Sequence, residues 1–316
     1  MNILVTGAAG FIGYHLSRRF ALAGHRVIGM DNMVTGSDAN VRALQALPGF
    51  EFIRHDIEQP LALPGPIDRI FNFACPASPA DFDTKAVEIM LTCSIGVKNL
   101  LDLARAKNAL FLQASTSECY GDPPPEHHPQ KETYRGNVNT LGPRAPYDEG
   151  KRFAEAMTMT YHRMHGLHTR IVRIFNTYGP HMRADDGRAL PNFISQALSG
   201  KPLTIHGDGS QTRSFCYVDD LVEAICRTAD SDVVDPINIG NDSEITIKEV
   251  AQAVIESCGS KSPLIFTDRP MNDPERRRPD LSRAREALGW QPSMPWREGF
   301  KRTIAYFRAN LAGMRP

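Results

Sequence analysis

An apolar strand that runs into a glycine-rich turn and then a helix constrains this chain most. Residues 2–6 are apolar, and Gly7-Ala8-Ala9-Gly10-Phe11-Ile12-Gly13 follows at once. Apolar residues then recur at helical spacing (Phe11, Ile12, Leu16, Phe20, Ala23), and Gly24 supplies a stop. Residues 26–30 read as a second strand that ends on Asp31. Strand, glycine turn, helix, strand and acid in this order is the dinucleotide-binding arrangement. Glycines let the backbone approach a pyrophosphate, which sits on the positive end of the helix. Gly7, Gly10, Phe11, Ile12 and Gly13 are therefore expected to hold a cofactor. Asp31, 24 residues after Gly7, and its neighbour Asn32 are placed for the adenosine ribose. An acid there binds the ribose hydroxyls and repels a 2′-phosphate, so the expected cofactor is NAD rather than NADP. A glycine turn with no ligand would not explain an acid in register.

Further strand and helix signals alternate. Residues 51–55, 69–73 and 110–114 read as strands, separated by helical stretches near 39–47 and 84–107. This alternation predicts a doubly wound parallel sheet in the α/β class. Asp56-Ile57 and Ala74 follow two of these strands, at the ends where ligands bind in such sheets. Asp56 is equally readable as a plain turn residue.

Charge and cysteine usage then narrow the class. The 36 basic and 36 acidic residues cancel over 316 positions, and Arg276-Arg277-Arg278 is the one notable run of a single sign. Neither a nucleic-acid nor a membrane footprint is expected. The six cysteines are scattered with no Cys-x-x-Cys pair, which argues against a disulfide framework or a zinc site. No metal is expected either: His162, His165 and His168 recur every third residue, but no acid or cysteine completes a set. A strand at residues 2–5 leaves no room for a signal peptide, and no apolar run is long enough to span a bilayer. A cytoplasmic protein is the expectation.

The chemistry lies between Thr116 and Lys151. Tyr147 and Lys151 stand four apart, so a helix puts them on one face. A free phenol titrates near ~10, and a neighbouring ammonium is expected to lower that value. A phenolate aimed at a sugar hydroxyl, with a hydride acceptor opposite, oxidises alcohols. The long stretch from Thr116 to Tyr147, rich in Pro, Gly and His, reads as an active-site wall. Thr116 is placed to hydrogen-bond the reacting oxygen, and Glu118 adds a second titratable group.

Several motifs together carry a resemblance. They are Thr116-Ser117-Glu118, Gly136-Asn137-Val138-Asn139, Gly142-Pro143-Arg144, and the run from Tyr147 to Arg152. The runs Arg173 to Pro180 and Gly209 to Phe215 belong with them. With the Gly-x-x-Gly-x-x-Gly spacing, the chain resembles the UDP-glucuronate decarboxylase (UDP-xylose synthase) family of the extended short-chain dehydrogenases. The resemblance covers essentially the whole chain. It implies a Rossmann-type sheet with a smaller mixed α/β substrate lobe. Sugar-nucleotide 4,6-dehydratases carry Thr-Asp-Glu where this chain has Thr116-Ser117-Glu118, and 4-epimerases usually lack the Glu.

By that resemblance, Tyr147, helped by Lys151 and Thr116, takes the C4 hydroxyl proton while the C4 hydride passes to NAD. The β-keto acid loses its C6 carboxylate as CO2. Tyr147 and Thr116 hold the enolate, and Glu118 and Arg277 serve its protonation at C5 through positioning or a water. Re-reduction at C4 completes the turnover. Ser117, Asn176, Arg213 and Arg277 are implied to contact the UDP-sugar substrate, and Leu203, Thr204 and Ile205 to form the base pocket. Arginines suit a diphosphate because the guanidinium fork binds oxygens in pairs.

Two tracts depart from the family. Thr92-Cys93-Ser94-Ile95-Gly96 has Cys93 where the family usually has Asn, and residues 81–86 lack its Tyr-Asn-Pro. These leave open a modified uronate as substrate. Two further readings stay open: a 4-epimerase, and a catalytically silent NAD-binding sensor or scaffold. Residues 1–175 are expected to form the NAD-binding domain, with segments near 215–240 returning to it, and 176–316 the nucleotide-sugar lobe. Strands are expected at 203–206 and 211–216, and Thr246 to Glu249 reads as a capping box. Relatives pair through the long helix at 84–107, so a homodimer is expected.

Overall fold

Successive residues of the first strand, β1 (Asn2–Thr6), serve two different cores. Ile3 and Val5 pack into one apolar cluster and Leu4 into another, as side chains alternating across a strand require. The computed structural model describes residues 1–268 and 276–310. Its main sheet also contains β2 (Arg26–Asp31), β3 (Phe50–Arg54), β4 (Arg69–Asn72), β5 (Leu110–Thr116) and β6 (Thr169–Ile174). Short strands follow: β7 (Thr177–Tyr178), β8 (Leu203–His206), β9 (Thr212–Ser214), β10 (Cys216–Tyr217) and β11 (Ile237–Ile239). The last are β12 (Glu244–Thr246), β13 (Leu264–Thr267) and β14 (Arg276–Arg277).

The seven-stranded sheet has the order β11-β6-β5-β4-β1-β2-β3, and each pairing is parallel. Parallel neighbours need crossovers, and helices supply them. On one face lie α1 (Phe11–Leu22) and, later in the chain, the helix at Val218–Asp230, whose apolar residues share the Ile3 and Val5 cluster. After α2 (Asp38–Gln45) comes a long helical stretch on the other face: α3 (Ala86–Leu91), a π-helical turn (Thr92–Gly96) and α4 (Val97–Lys107). It shares that face with α5 (Ala145–His165), whose Ala154 joins Leu100 and Leu101 in the Leu4 cluster. Helix α4 ends on Asn108 and α5 on Gly166, both left-handed, as helix termini favour.

The remaining elements build a smaller lobe around α6 (Ala189–Leu198) and α8 (Ile247–Cys258), whereas α7 is the Val218–Asp230 helix already placed on the main sheet. The Thr246 to Glu249 capping box is present: Thr246 Oγ1 accepts from Glu249 N at 3.1 Å and Glu249 accepts from Thr246 N at 2.8 Å. The stretch at 211–216 is not one strand. It breaks at Phe215, so β9 joins β12 and β14 while β10 pairs with β7. In that small sheet Arg213 of β9 lies opposite Arg277 of β14. Parallel register turns two residues far apart in sequence into neighbours on one face.

Candidate active site

The glycine turn has no space for side chains. Gly7 has φ +69°, and a Cβ there would lie 2.5 Å from the Phe73 carbonyl oxygen. A Cβ on Gly13 would lie 2.0 Å from the Gly7 carbonyl oxygen, and one on Gly10 3.2 Å from it. No side chain caps the N-terminus of α1, so its first N–H groups face a cavity lined by Gly7, Gly10, Phe11, Ile12 and Gly13. This cradle fits a dinucleotide diphosphate. Gly13→Ala is expected to cost about 1–3 kcal/mol through overpacking and to strip retained cofactor. Thermal unfolding and the cofactor content of purified protein check both.

Asp31 closes β2 and is held by two backbone donors, Ala9 N at 3.0 Å and Met33 N at 2.8 Å. Burial raises its pKa, and those two N–H groups oppose the rise. Asn32 donates to Asp56 at 3.0 Å, so these two candidate cofactor residues are joined. Asp56 also accepts from Glu58 N at 2.9 Å and so caps its own turn, the turn role that its sequence position allowed. Ile57 is buried against Gly96, where a Cβ would meet it at 2.7 Å. Ala74 donates its N–H to Asn72 at 3.3 Å, just beyond β4.

Tyr147 and Lys151 share one face of α5, and both line that cavity with Thr116, Ser117 and Glu118 from the end of β5. Lys151 donates to the Ala114 carbonyl at 3.1 Å and sits 5.8 Å from the centre of the Tyr147 ring. Phe82 stacks on that ring at 4.9 Å. Thr116 Oγ1 accepts from Glu118 N at 3.3 Å. The expected lowering of the phenol pKa needs correction. Burial pushes Tyr147 above its ordinary value, and the pull of Lys151 only partly offsets this. Lys151 stays charged: burial opposes the charge, but Cys75, Cys93 and Tyr147 outweigh burial and hold its pKa up.

Glu118 is clamped by two arginines. Arg277 bonds both carboxylate oxygens, the second at 2.9 Å, and Arg144 reaches Oε2 at 2.5 Å. Burial alone would raise this carboxyl, but Arg277 and Arg144 prevail and hold it down at about 2. It is a carboxylate at any working pH, which suits positioning and not proton donation. Beside Tyr147, burial and the Glu118 charge raise Asp148 to about 7, with Arg144 and Arg277 opposing.

A polar network fixes this geometry. Gln130, in the loop after β5, accepts from Asp280 N at 2.8 Å and donates its N–H to the Arg278 carbonyl at 2.9 Å. The segment carrying Arg277 is thereby docked on the loop that carries Glu118. Arg173 grips Glu155 through bonds of 2.8 and 2.7 Å, and Tyr120 donates to Asn238 at 2.7 Å, which ties the loop to the sheet.

A second cavity opens beside the first. Glu118, Arg144, Asn176 and Arg188 line both, and Thr204, Arg213 and Arg277 line the second. Asn176 Nδ2 is buried with no hydrogen-bond partner among the described residues, a donor waiting for an acceptor. Leu203 and Ile205 differ from their expected place: both are fully buried in the core, and of the three only Thr204 lines the cavity. The alternation of β8 requires this, so Leu203 and Ile205 offer a base only their backbone. Sequence reasoning missed Arg144 and Arg188 as site residues. Arg144 ends the Gly142-Pro143-Arg144 motif, three positions before Tyr147, which is a usable signal; Arg188 carries no local one.

Residues 3–240 match the NAD dependent epimerase/dehydratase family. The chain is 47% identical over 311 residues to UDP-glucuronic acid decarboxylase 1 of Arabidopsis thaliana, covering 98% of this chain and 71% of that one. It is similar in structure to UDP-glucose 4-epimerase of Thermotoga maritima bound to UDP-glucose, with TM-score 0.89, 27% identity, and coverage of 98% and 100%. It is also similar to a variant of UDP-glucuronic acid 4-epimerase from Bacillus cereus, in complex with UDP-4-deoxy-4-fluoro-glucuronic acid and NAD. There the TM-score is 0.82 at 27% identity, over 98% of this chain and 99% of the other.

Proposed function

The chain belongs to the NAD dependent epimerase/dehydratase family, and from that premise we propose that it converts UDP-glucuronate to UDP-xylose. NAD, when bound, supplies the acceptor for the C4 hydride and its later return. Tyr147 takes the proton of the C4 hydroxyl and later gives it back. Lys151 favours the phenolate by its charge, and Thr116 holds the same oxygen. Once C4 is a ketone, the bond to the C6 carboxylate lies β to it and breaks with loss of CO2. The Tyr147 and Thr116 hydroxyls bear the developing enolate charge. Glu118 holds Arg277 and Arg144 beside C5, where a proton must be delivered.

One observation carries this reading: in the cavity that Tyr147 lines, Ser117 stands where the resemblance gives 4,6-dehydratases an acid, and Glu118 is locked as a carboxylate by two arginines. Elimination of water lacks its proton donor, whereas decarboxylation needs none at that step. Arg213 and Arg277, neighbours across β9 and β14, suit the diphosphate, with Asn176 as a further donor. Residues 1–175, with the segment near 215–240, hold the cofactor, and the rest of 176–316 holds the nucleotide-sugar. The test is product analysis by NMR and mass spectrometry after incubation with UDP-glucuronate. Release of CO2 with a UDP-pentose is expected; UDP-galacturonate would make the chain an epimerase, and unchanged substrate would redirect the search to another uronate.

The exposed apolar side chains Val87, Met90 and Ile95 near α3, with Phe153 on α5, support pairing of two copies. A homodimer is expected in sedimentation analysis, and a monomer at micromolar concentration would exclude it. No helix among the described residues is long and apolar enough to cross a membrane. All six cysteines are unpaired, in keeping with a reducing cytoplasm.

A further inference from the structure

Cys75 and Cys93 reach one another from separate elements. Cys75 lies in the loop after β4 and lines the cavity that holds Tyr147 and Lys151; Cys93 lies in the π-helical turn between α3 and α4. Their Sγ atoms are 3.7 Å apart, and neither is in a disulfide. Cys93 is buried against α5 one position before Lys151: a Cβ on Gly150 would sit 3.2 Å from the Cys93 Cβ. The pair therefore joins the cavity wall to the helix that carries the catalytic base and its ammonium. The proposed mechanism uses neither thiol.

We propose that Cys75 and Cys93 form an oxidative modification site, which hydrogen peroxide closes into a disulfide that stops turnover until a thiol reductant reopens it. The Cys75 thiolate attacks one peroxide oxygen, the O–O bond breaks, and the departing hydroxide leaves as water, giving a sulfenic acid. The Cys93 sulfur then attacks the Cys75 sulfur and expels the hydroxyl as a second water. Two thiols lose two protons and two electrons, and one peroxide becomes two waters. The roles follow from the surroundings. The hydrogen bond from Cys93 and the Lys151 charge draw the Cys75 thiol down, against burial, while the shared bond and burial drive Cys93 up. Cys119, also close, is pushed up to about 12 by burial and Glu155 and is engaged by Ser115 at 3.2 Å. Closing the gap from 3.7 Å to a bond of ~2.05 Å pulls the cavity loop and the turn together next to Lys151.

The full chain, reduced and then given stoichiometric hydrogen peroxide, should lose two of its six thiols. Peptide mapping after alkylation should find Cys75 linked to Cys93. Turnover should fall at least tenfold and return with dithiothreitol. Cys93→Ser should form no link, and in excess peroxide its Cys75 should pass to a sulfinic acid that dithiothreitol does not restore. A map with no such link, or a link that leaves turnover unchanged, overturns the proposal. The link is read by mass, so an error in the substrate assignment would leave that result standing.

Discussion

Tyr147→Phe should lower turnover of UDP-glucuronate by roughly 10²–10⁴ while the protein folds and retains NAD. The substitution removes only the hydroxyl. The ring stays buried and stacked on Phe82 at 4.9 Å, so the packing that orders the start of α5 is kept. Two charged neighbours cannot replace it: Glu118 is bound by Arg277 and Arg144, and Lys151 is charged and donating to the Ala114 carbonyl. Because burial raises the Tyr147 phenol, the base form grows as pH rises, and cofactor reduction should quicken toward alkaline pH. Lys151 pulls the other way, so Lys151→Met should move that limb to still higher pH. Single-turnover absorbance of the reduced cofactor across pH measures both. A Tyr147→Phe enzyme within tenfold of wild type would assign the base elsewhere.

The parts of this site that are legible in the sequence are those whose signal is local. The glycine turn, the acid ending β2 and the Tyr147–Lys151 pair each lie within one strand–turn–helix unit, where spacing dictates geometry. Their assembly in one parallel sheet follows from alternation alone. What escapes depends on tertiary register. Arg277 meets Glu118 because β14 pairs with β9 and because Gln130 binds the segment that follows, neither of which is a sequence pattern. The resemblance puts Leu203 and Ile205 in the base pocket, but only the neighbours of a strand decide which of its faces is buried. The sign of the Tyr147 shift is hidden for the same reason: the lysine four residues away is visible in the sequence, whereas burial is not. The π-helical turn at Thr92–Gly96 has no compositional mark either.

Arg277→Met tests whether the clamp on Glu118 is architecture or catalysis. Removing one partner of a buried ion pair leaves its charge uncompensated, which typically costs about 3–5 kcal/mol. Arg144 still bonds Glu118 here, so the loss should fall below that range, near ~2 kcal/mol. Turnover should drop by roughly 10²-fold or more, since the positioned cation near the reacting carbon is gone. The acid limb of stability gives an independent readout. The Glu118 pKa is depressed from 4.5 to about 2, so its contribution is fully present above about 4.5 and fades as pH falls toward 2. Without Arg277 its pKa should rise, and the loss should begin at higher pH, as melting curves between those limits would record. Adding Glu118→Gln to Arg277→Met removes the stranded charge. The double variant should regain stability but not turnover. If turnover returns with stability, the arginine only holds the loop in place; if neither returns, Glu118 and Arg277 are needed together for the fold.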